Sequence, residues 1–121
     1  MDATFHDALA DADLAEGQAR ALILNGWPVL LCRTNGAARA VINRCTHADS
    51  QLSGGRIRRG SVICPDHGAI FNLETGVCAG AAGYGPLKVF ATRVMDGRIA
   101  VAVPDTAPGP GQSPVRTPRP G

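Results

Sequence analysis

The stretches CTHADS (45–50) and CPDHGA (64–69) decide how this chain is read. They place two of its three histidines close behind two of its four cysteines, and sixteen residues separate His47 from Cys64. In an extended segment residues i and i+2 face the same way, so one loop can present Cys45 and His47 in a common direction. Cys64 and His67 have two residues between them, the spacing of a tight turn. Pro65 and Gly68 supply the rigidity and the φ freedom that such a turn needs. The sequence therefore predicts two facing loops, each offering one soft sulfur and one imidazole nitrogen.

Two kinds of metal centre take such a donor set. A four-coordinate zinc ion accepts two cysteines and two histidines and would act as a structural staple. Alternatively, a [2Fe–2S] cluster accepts both cysteines on one iron and both histidines on the other. Zinc ligand pairs are usually separated by about two to four residues, and a C-x-H pair is short for that. Zinc fingers also group like with like, whereas here each loop mixes its donors. A binuclear centre suits mixed loops, because a cysteine and a histidine of one loop can go to different irons.

Outward from these loops, the 121 residues fit one domain with a thin core, to which a metal clip would add stability. Fifteen glycines and nine prolines make the chain rich in turns, which favours short strands over helices. The net charge is only +2. Residues 1–16 carry five acids and no lysine or arginine. The densest basic run, Arg56, Arg58 and Arg59, reads as a solvated turn and is too short for a nucleic-acid groove. No apolar stretch approaches the ~20 residues of a membrane span, and no basic start and apolar centre mark a signal peptide. The expected location is the cytoplasm, where cysteines serve as metal ligands or free thiols.

Strand signals fill most of the remainder. WPVLLCR (27–33) and RAVIN (39–43) flank the Asn35–Gly36 hairpin signal, and SVICP (61–65) runs straight into Cys64. AIFNLETGVC (69–78) reads as two short strands around Thr75–Gly76, and residues 87–103 as a hairpin about Asp96–Gly97. In its second arm Ile99, Val101 and Val103 alternate with Arg98, Ala100 and Ala102, the period of a half-buried strand. The acid- and alanine-rich opening reads as an extended segment with a short helical turn. From Pro104 to Gly121, six prolines and few apolar side chains predict a flexible or polyproline-like tail. Cys32 reads as a small core side chain, Cys78 as a free thiol, His6 as a solvated terminal histidine and Trp27 as a packing residue.

C-T-H (45–47), C-P-D-H-G (64–68), IFNLETG (70–76) and GYGPLKVF (83–90) together resemble the Rieske [2Fe–2S] ferredoxins. The resemblance spans roughly residues 3–103. It implies an all-β Rieske fold: an antiparallel β-sandwich base over residues 1–103, with a small two-loop cluster-binding subdomain at about 45–86. Cys45 and Cys64 would hold one iron of a single [2Fe–2S] cluster, and His47 and His67 the other. Pro86 would lie in a cover loop together with Tyr84. Members from respiratory complexes have a second cysteine in each loop, joined as a disulfide. The matching places here are Ser50 and Asp66, so that bridge cannot form. Ala69 stands where high-potential members have a serine hydroxyl donating to the cluster. Fewer donors lower the potential toward the bottom of the Rieske range, about −150 mV.

The resemblance further implies a soluble, monomeric one-electron carrier rather than an enzyme. Its partners would be a flavin-containing NAD(P)H reductase and a terminal ring-hydroxylating oxygenase. Two other readings stand beside it: a small Rieske subunit permanently docked on a larger reductase, and a zinc-stapled interaction module.

Overall fold

The computed structural model describes residues 3–46, 50–66, 68–79 and 85–115, and the regular structure among these is almost wholly β. The strands are β1 (Ala3–Ala10), β2 (Ala19–Leu24), β3 (Trp27–Thr34), β4 (Ala37–Ile42), β5 (Arg56–Arg58) and β6 (Ser61–Ile63). They continue with β7 (Ile70–Asn72), β8 (Cys78–Ala79), β9 (Val89–Phe90), β10 (Thr92–Met95) and β11 (Arg98–Pro104). A 3₁₀ turn, Asp11–Asp13, lies between β1 and β2 and is the one helical element among the described residues.

Two-residue turns fix the registers. Leu24 pairs with Trp27, Thr34 with Ala37, and Met95 with Arg98, so Asn25–Gly26, Asn35–Gly36 and Asp96–Gly97 each close a hairpin. At the first of these both residues have positive φ, 49° and 83°. That is the type I′ geometry whose twist matches paired strands, and asparagine followed by glycine reaches it with little strain. The hairpins at Asn35 and Asp96 are the expected ones. Asn25–Gly26 carries the same signal and closes a third.

The strands form three antiparallel sheets, in the orders β1-β11-β10, β2-β3-β4-β9 and β5-β6-β7-β8. The first two make the base. Strand β3 is buried on both faces, with Val29, Leu30, Leu31 and Cys32 fully inaccessible. Each such aliphatic side chain contributes about 1.5–3 kcal/mol relative to leaving it exposed. Ile99, Val101 and Val103 point from β11 into the same core, which confirms the alternation read there. Trp27 is buried edge-on against Phe90, with ring centroids 6.0 Å apart, and Lys88 Nζ lies 5.6 Å from its ring. Both Trp27 and Cys32 are thus packing residues, as expected. Burial pushes the Cys32 thiol up to about 12.

The opening segment is extended with a short helical turn, as expected, and its extended parts are paired: β1 with β11 along its length and β2 with β3. Few of the β1 side chains are buried, so main-chain bonds to β11 hold it and its side-chain pattern carries little strand signal. For the same reason His6 is not a solvated terminal residue. It sits half-buried opposite Val101, with Nε2 out of contact with solvent. The arginine run is likewise more than a turn. Arg56 and Arg58 belong to β5 with their side chains exposed, and only Arg59 joins Gly60 in the turn to β6.

The third sheet carries the smaller part of the molecule. It is tied to the base by Gly60 N–H donating to Thr34 Oγ1 at 3.0 Å and by Leu87 N–H donating to Gly76 C=O at 2.8 Å. Gly76 has φ +80°, and a Cβ there would lie 2.2 Å from Leu87 O, so this junction requires glycine. Of the Pro-rich tail expected to be flexible, residues 105–115 are described and run against the base. The Trp27 indole N–H donates to Thr106 C=O at 2.9 Å, and the Asn25 side-chain amide donates to Pro104 C=O at 3.1 Å. Residues 116–121 lie outside the described residues.

Candidate metal centre

Three connections meet at one end of the third sheet: the loop 43–55 between β4 and β5, the loop 64–69 between β6 and β7, and the segment leading from β8 into β9. Each is shaped by local chemistry. Asn43 closes the first loop at its base. Its buried Oδ1 accepts from the N–H groups of Leu52 (2.9 Å) and Ser53 (2.8 Å), while its own N–H donates to Pro28 C=O at 2.9 Å. One side chain thus satisfies two amides that the loop would otherwise leave buried without an acceptor. Within the loop, Cys45 N–H donates to Ser50 C=O at 2.8 Å.

The second loop is a closed turn. Cys64 N–H donates to Ala69 C=O (2.8 Å), and Gly68 N–H donates back to Cys64 C=O (2.9 Å). Gly68 has φ 72°, the left-handed conformation for which its lack of a side chain suits it. The amides of Cys45, Cys64 and Gly68 are therefore engaged in shaping the loops.

Hydrogen bonds also join the three connections to one another. Ser50 Oγ donates to Asp66 Oδ2 at 2.5 Å, the short distance of a hydroxyl bonded to a carboxylate. It links the two loops through Ser50 and Asp66, the positions at which the resemblance to respiratory-complex members would have called for a disulfide. Thr46 Oγ1 donates to Gly85 C=O at 2.9 Å, which binds the first loop to the segment containing Pro86. Leu87, next to Pro86, is buried and anchors that segment. Asn43, Thr46 and the Ser50–Asp66 pair were not singled out as organisers of the site in the sequence. Asn43 sits just before the loop and could have been suspected as a side chain that competes for backbone amides. Thr46 gives no such signal, since its partner is a main-chain oxygen.

Of the four expected ligands, Cys45 and Cys64 lie one in each loop. Both sulfur-bearing side chains are buried, 2% and 1% exposed, and neither is in a disulfide. His47 and His67 lie outside the described residues, as does Tyr84. Cys32 lies in β3 and Cys78 in β8, where Cys78 is half-buried opposite Phe71. Two buried, unbridged cysteine sulfurs on loops latched together suit the thiolate side of an iron–sulfur centre, because thiolate is the ligand such clusters require. Ala69, 7% exposed, brings no hydroxyl to this region. Among the described residues no helix is long and apolar enough to cross a membrane.

Comparison with known proteins agrees with this chemistry. The family described as the Rieske [2Fe-2S] domain matches residues 4–91. The chain is 31% identical over 99 residues to the 3-phenylpropionate/cinnamic acid dioxygenase ferredoxin subunit of Escherichia coli (strain K12), covering 80% of this chain and 92% of that protein. It is also 36% identical over 89 residues to apoptosis-inducing factor 3 of Homo sapiens; the match takes in 74% of this chain but only 15% of that longer protein. Among solved structures, it resembles a chain in the complex of reduced oxygenase and oxidized ferredoxin in carbazole 1,9a-dioxygenase. There the TM-score is 0.76 at 31% identity, over 81% of this chain and 92% of the other. The chain belongs to the Rieske [2Fe-2S] domain family, and its cofactor is a Rieske-type [2Fe–2S] cluster.

Proposed function

We propose that the chain is a one-electron carrier that receives electrons from a flavin-containing NAD(P)H reductase and delivers them to a terminal ring-hydroxylating oxygenase. In this reading Cys45 and Cys64 hold one iron, His47 and His67 hold the other, and the chain catalyses no substrate turnover itself. The cluster, when bound, takes up and gives back a single electron. The observation that carries the reading is the pair of buried, unbridged cysteines on two loops tied by the Ser50–Asp66 bond. The likeness, over nearly the whole of the matched chain, to a protein of the oxygenase–ferredoxin complex supports the choice of acceptor.

The chain's own residues fit this task. Cys45 and Cys64 bring two negative charges where an all-cysteine site would bring four, so an added electron meets less repulsion. Ala69 withholds a hydroxyl donor and leaves that electron less stabilised, which sets a low potential suited to supplying an oxygenase. The bonds from Ser50 and Thr46 hold the loops in one arrangement, so ligand positions need change little when charge arrives.

The test is anaerobic purification followed by visible and EPR spectra of the dithionite-reduced protein. Reduction with NADH and a flavin reductase and reoxidation on adding an oxygenase then follow. A coloured protein with a rhombic mixed-ligand signal that passes electrons between the two is the expected result. A colourless sample with one zinc per chain would overturn the reading. The match inside apoptosis-inducing factor 3, where such a domain is a small part of a far longer protein, supports a second reading in which this chain works permanently docked on a larger protein, a reductase in the sequence-based expectation. Co-purification with a large partner, and no exchange with free oxygenase, would favour that alternative.

A further inference from the structure

The segment after β11 does not stop at the Trp27 clasp. Beyond Thr106, Pro108 Cδ packs over Gly26, 3.5 Å from where a Cβ would stand. The chain then turns, with Gln112 N–H and Ser113 Oγ both donating to Gly109 C=O at 3.0 and 3.2 Å. After that turn it reaches the first loop of the metal centre. Arg44 Nη1 donates to Ser113 C=O at 2.9 Å, and Gln51 Nε2 donates to Val115 C=O at 3.3 Å. Those two side chains flank the part of the loop that contains Cys45 and the expected ligand His47. The same segment lines a groove whose other wall includes Thr46 and Pro86.

We propose that residues 105–115 form a strap that holds the first ligand loop in its ligand-presenting conformation, with Arg44 and Gln51 as the attachment points. The inference rests on the ligand assignment above. The loop needs such support: its described residues, 43–46 and 50–55, contain no helix or strand, and a connection of that length is expensive to order. Asn43 fixes its base and Cys45–Ser50 closes its tip, but the outward side is fastened by the strap. The strap is suited to the task because Pro108, Pro110 and Pro114 already restrict its backbone, which reduces the entropy lost when it docks. The family match covers residues 4–91, and the strap lies beyond it.

The test compares the full chain with one ending after Gln112, which keeps the Trp27–Thr106 clasp and removes both acceptor carbonyls. Bleaching of the cluster absorbance in excess chelator is followed with hydrogen exchange of amides 44–53. Loss of one attachment should speed bleaching about fivefold, the scale of a single hydrogen bond. Exchange should rise in the loop and not in β3 and β4. Should the shortened chain fail to fold, Gln51→Leu in the full chain removes one attachment without truncation. Arg44→Ala should accelerate bleaching more in the full chain than in the shortened one, where its acceptor at Ser113 is already gone. A coloured full-length protein whose bleaching is unchanged by truncation and by Gln51→Leu, or an Arg44→Ala effect equal in both lengths, would overturn the strap alone. A colourless full-length protein would overturn the ligand assignment and the strap with it.

Discussion

Replacing Ser50 with alanine removes one hydroxyl and, with it, a direct side-chain bond between the two Cys/His loops. A hydrogen bond to a charged group contributes about 1.5–3 kcal/mol in a shielded setting. This pair is at the surface, where water competes and salt screens, so about 1 kcal/mol is the appropriate scale. That corresponds to roughly a fivefold rise in the population of loops parted from each other. Cluster release requires such parting, so bleaching by chelator should accelerate by about the same factor. Asp66→Asn separates geometry from charge. It keeps an acceptor for Ser50, so bleaching should rise less than in Ser50→Ala. It also removes a negative charge one residue from His67, which makes reduction easier. The potential should move upward by on the order of tens of mV, whereas Ser50→Ala should leave it nearly unchanged. Square-wave voltammetry and chelator bleaching on the two variants measure both quantities. If Ser50→Ala bleaches at the wild-type rate, the loops are not latched through this bond. If Asp66→Asn lowers the potential, the electrostatic reasoning is wrong.

Asn43→Ala should destabilise the fold by about 2–4 kcal/mol in urea melts, because the Leu52 and Ser53 amides lose their shared acceptor. Gly76→Ala should be of similar size, since its Cβ would press on the Leu87 carbonyl at a positive φ; an unchanged melting temperature would refute that contact. The Cys32 thiol, ordinarily near 9.0 and pushed up to about 12 by burial, is neutral in the fold. Its contribution to stability is therefore complete below about pH 9 and is lost as pH rises from there toward 12. The loss should reach about 1.4 kcal/mol per pH unit within that window. Circular-dichroism melts at pH 8 and pH 10 should accordingly diverge less for Cys32→Ala than for the wild type, and parallel shifts in the two proteins would exclude the cysteine as the cause.

What could be read in the sequence was whatever a residue type does within its own neighbourhood. Asparagine or aspartate before glycine closes hairpins by local backbone preference, so Asn35–Gly36 and Asp96–Gly97 were legible and Asn25–Gly26 equally so. The alternation of Ile99, Val101 and Val103 followed from the pleat of a single strand. The sulfur and nitrogen spacings in the two loops announced a metal centre for a similar reason. Features made between distant main-chain groups were silent. Strand β1 exists because its backbone finds β11, although its own side chains stay largely exposed. The strap is the extreme case. Arg44 and Gln51 are bonded by the carbonyl groups of Ser113 and Val115, and every residue has such a carbonyl. Only the restricted backbone of the proline-rich segment hints at a fixed path, and prolines alone describe a free tail equally well. Composition therefore reports whether a segment can build a core, and says little about whether it docks on one already built.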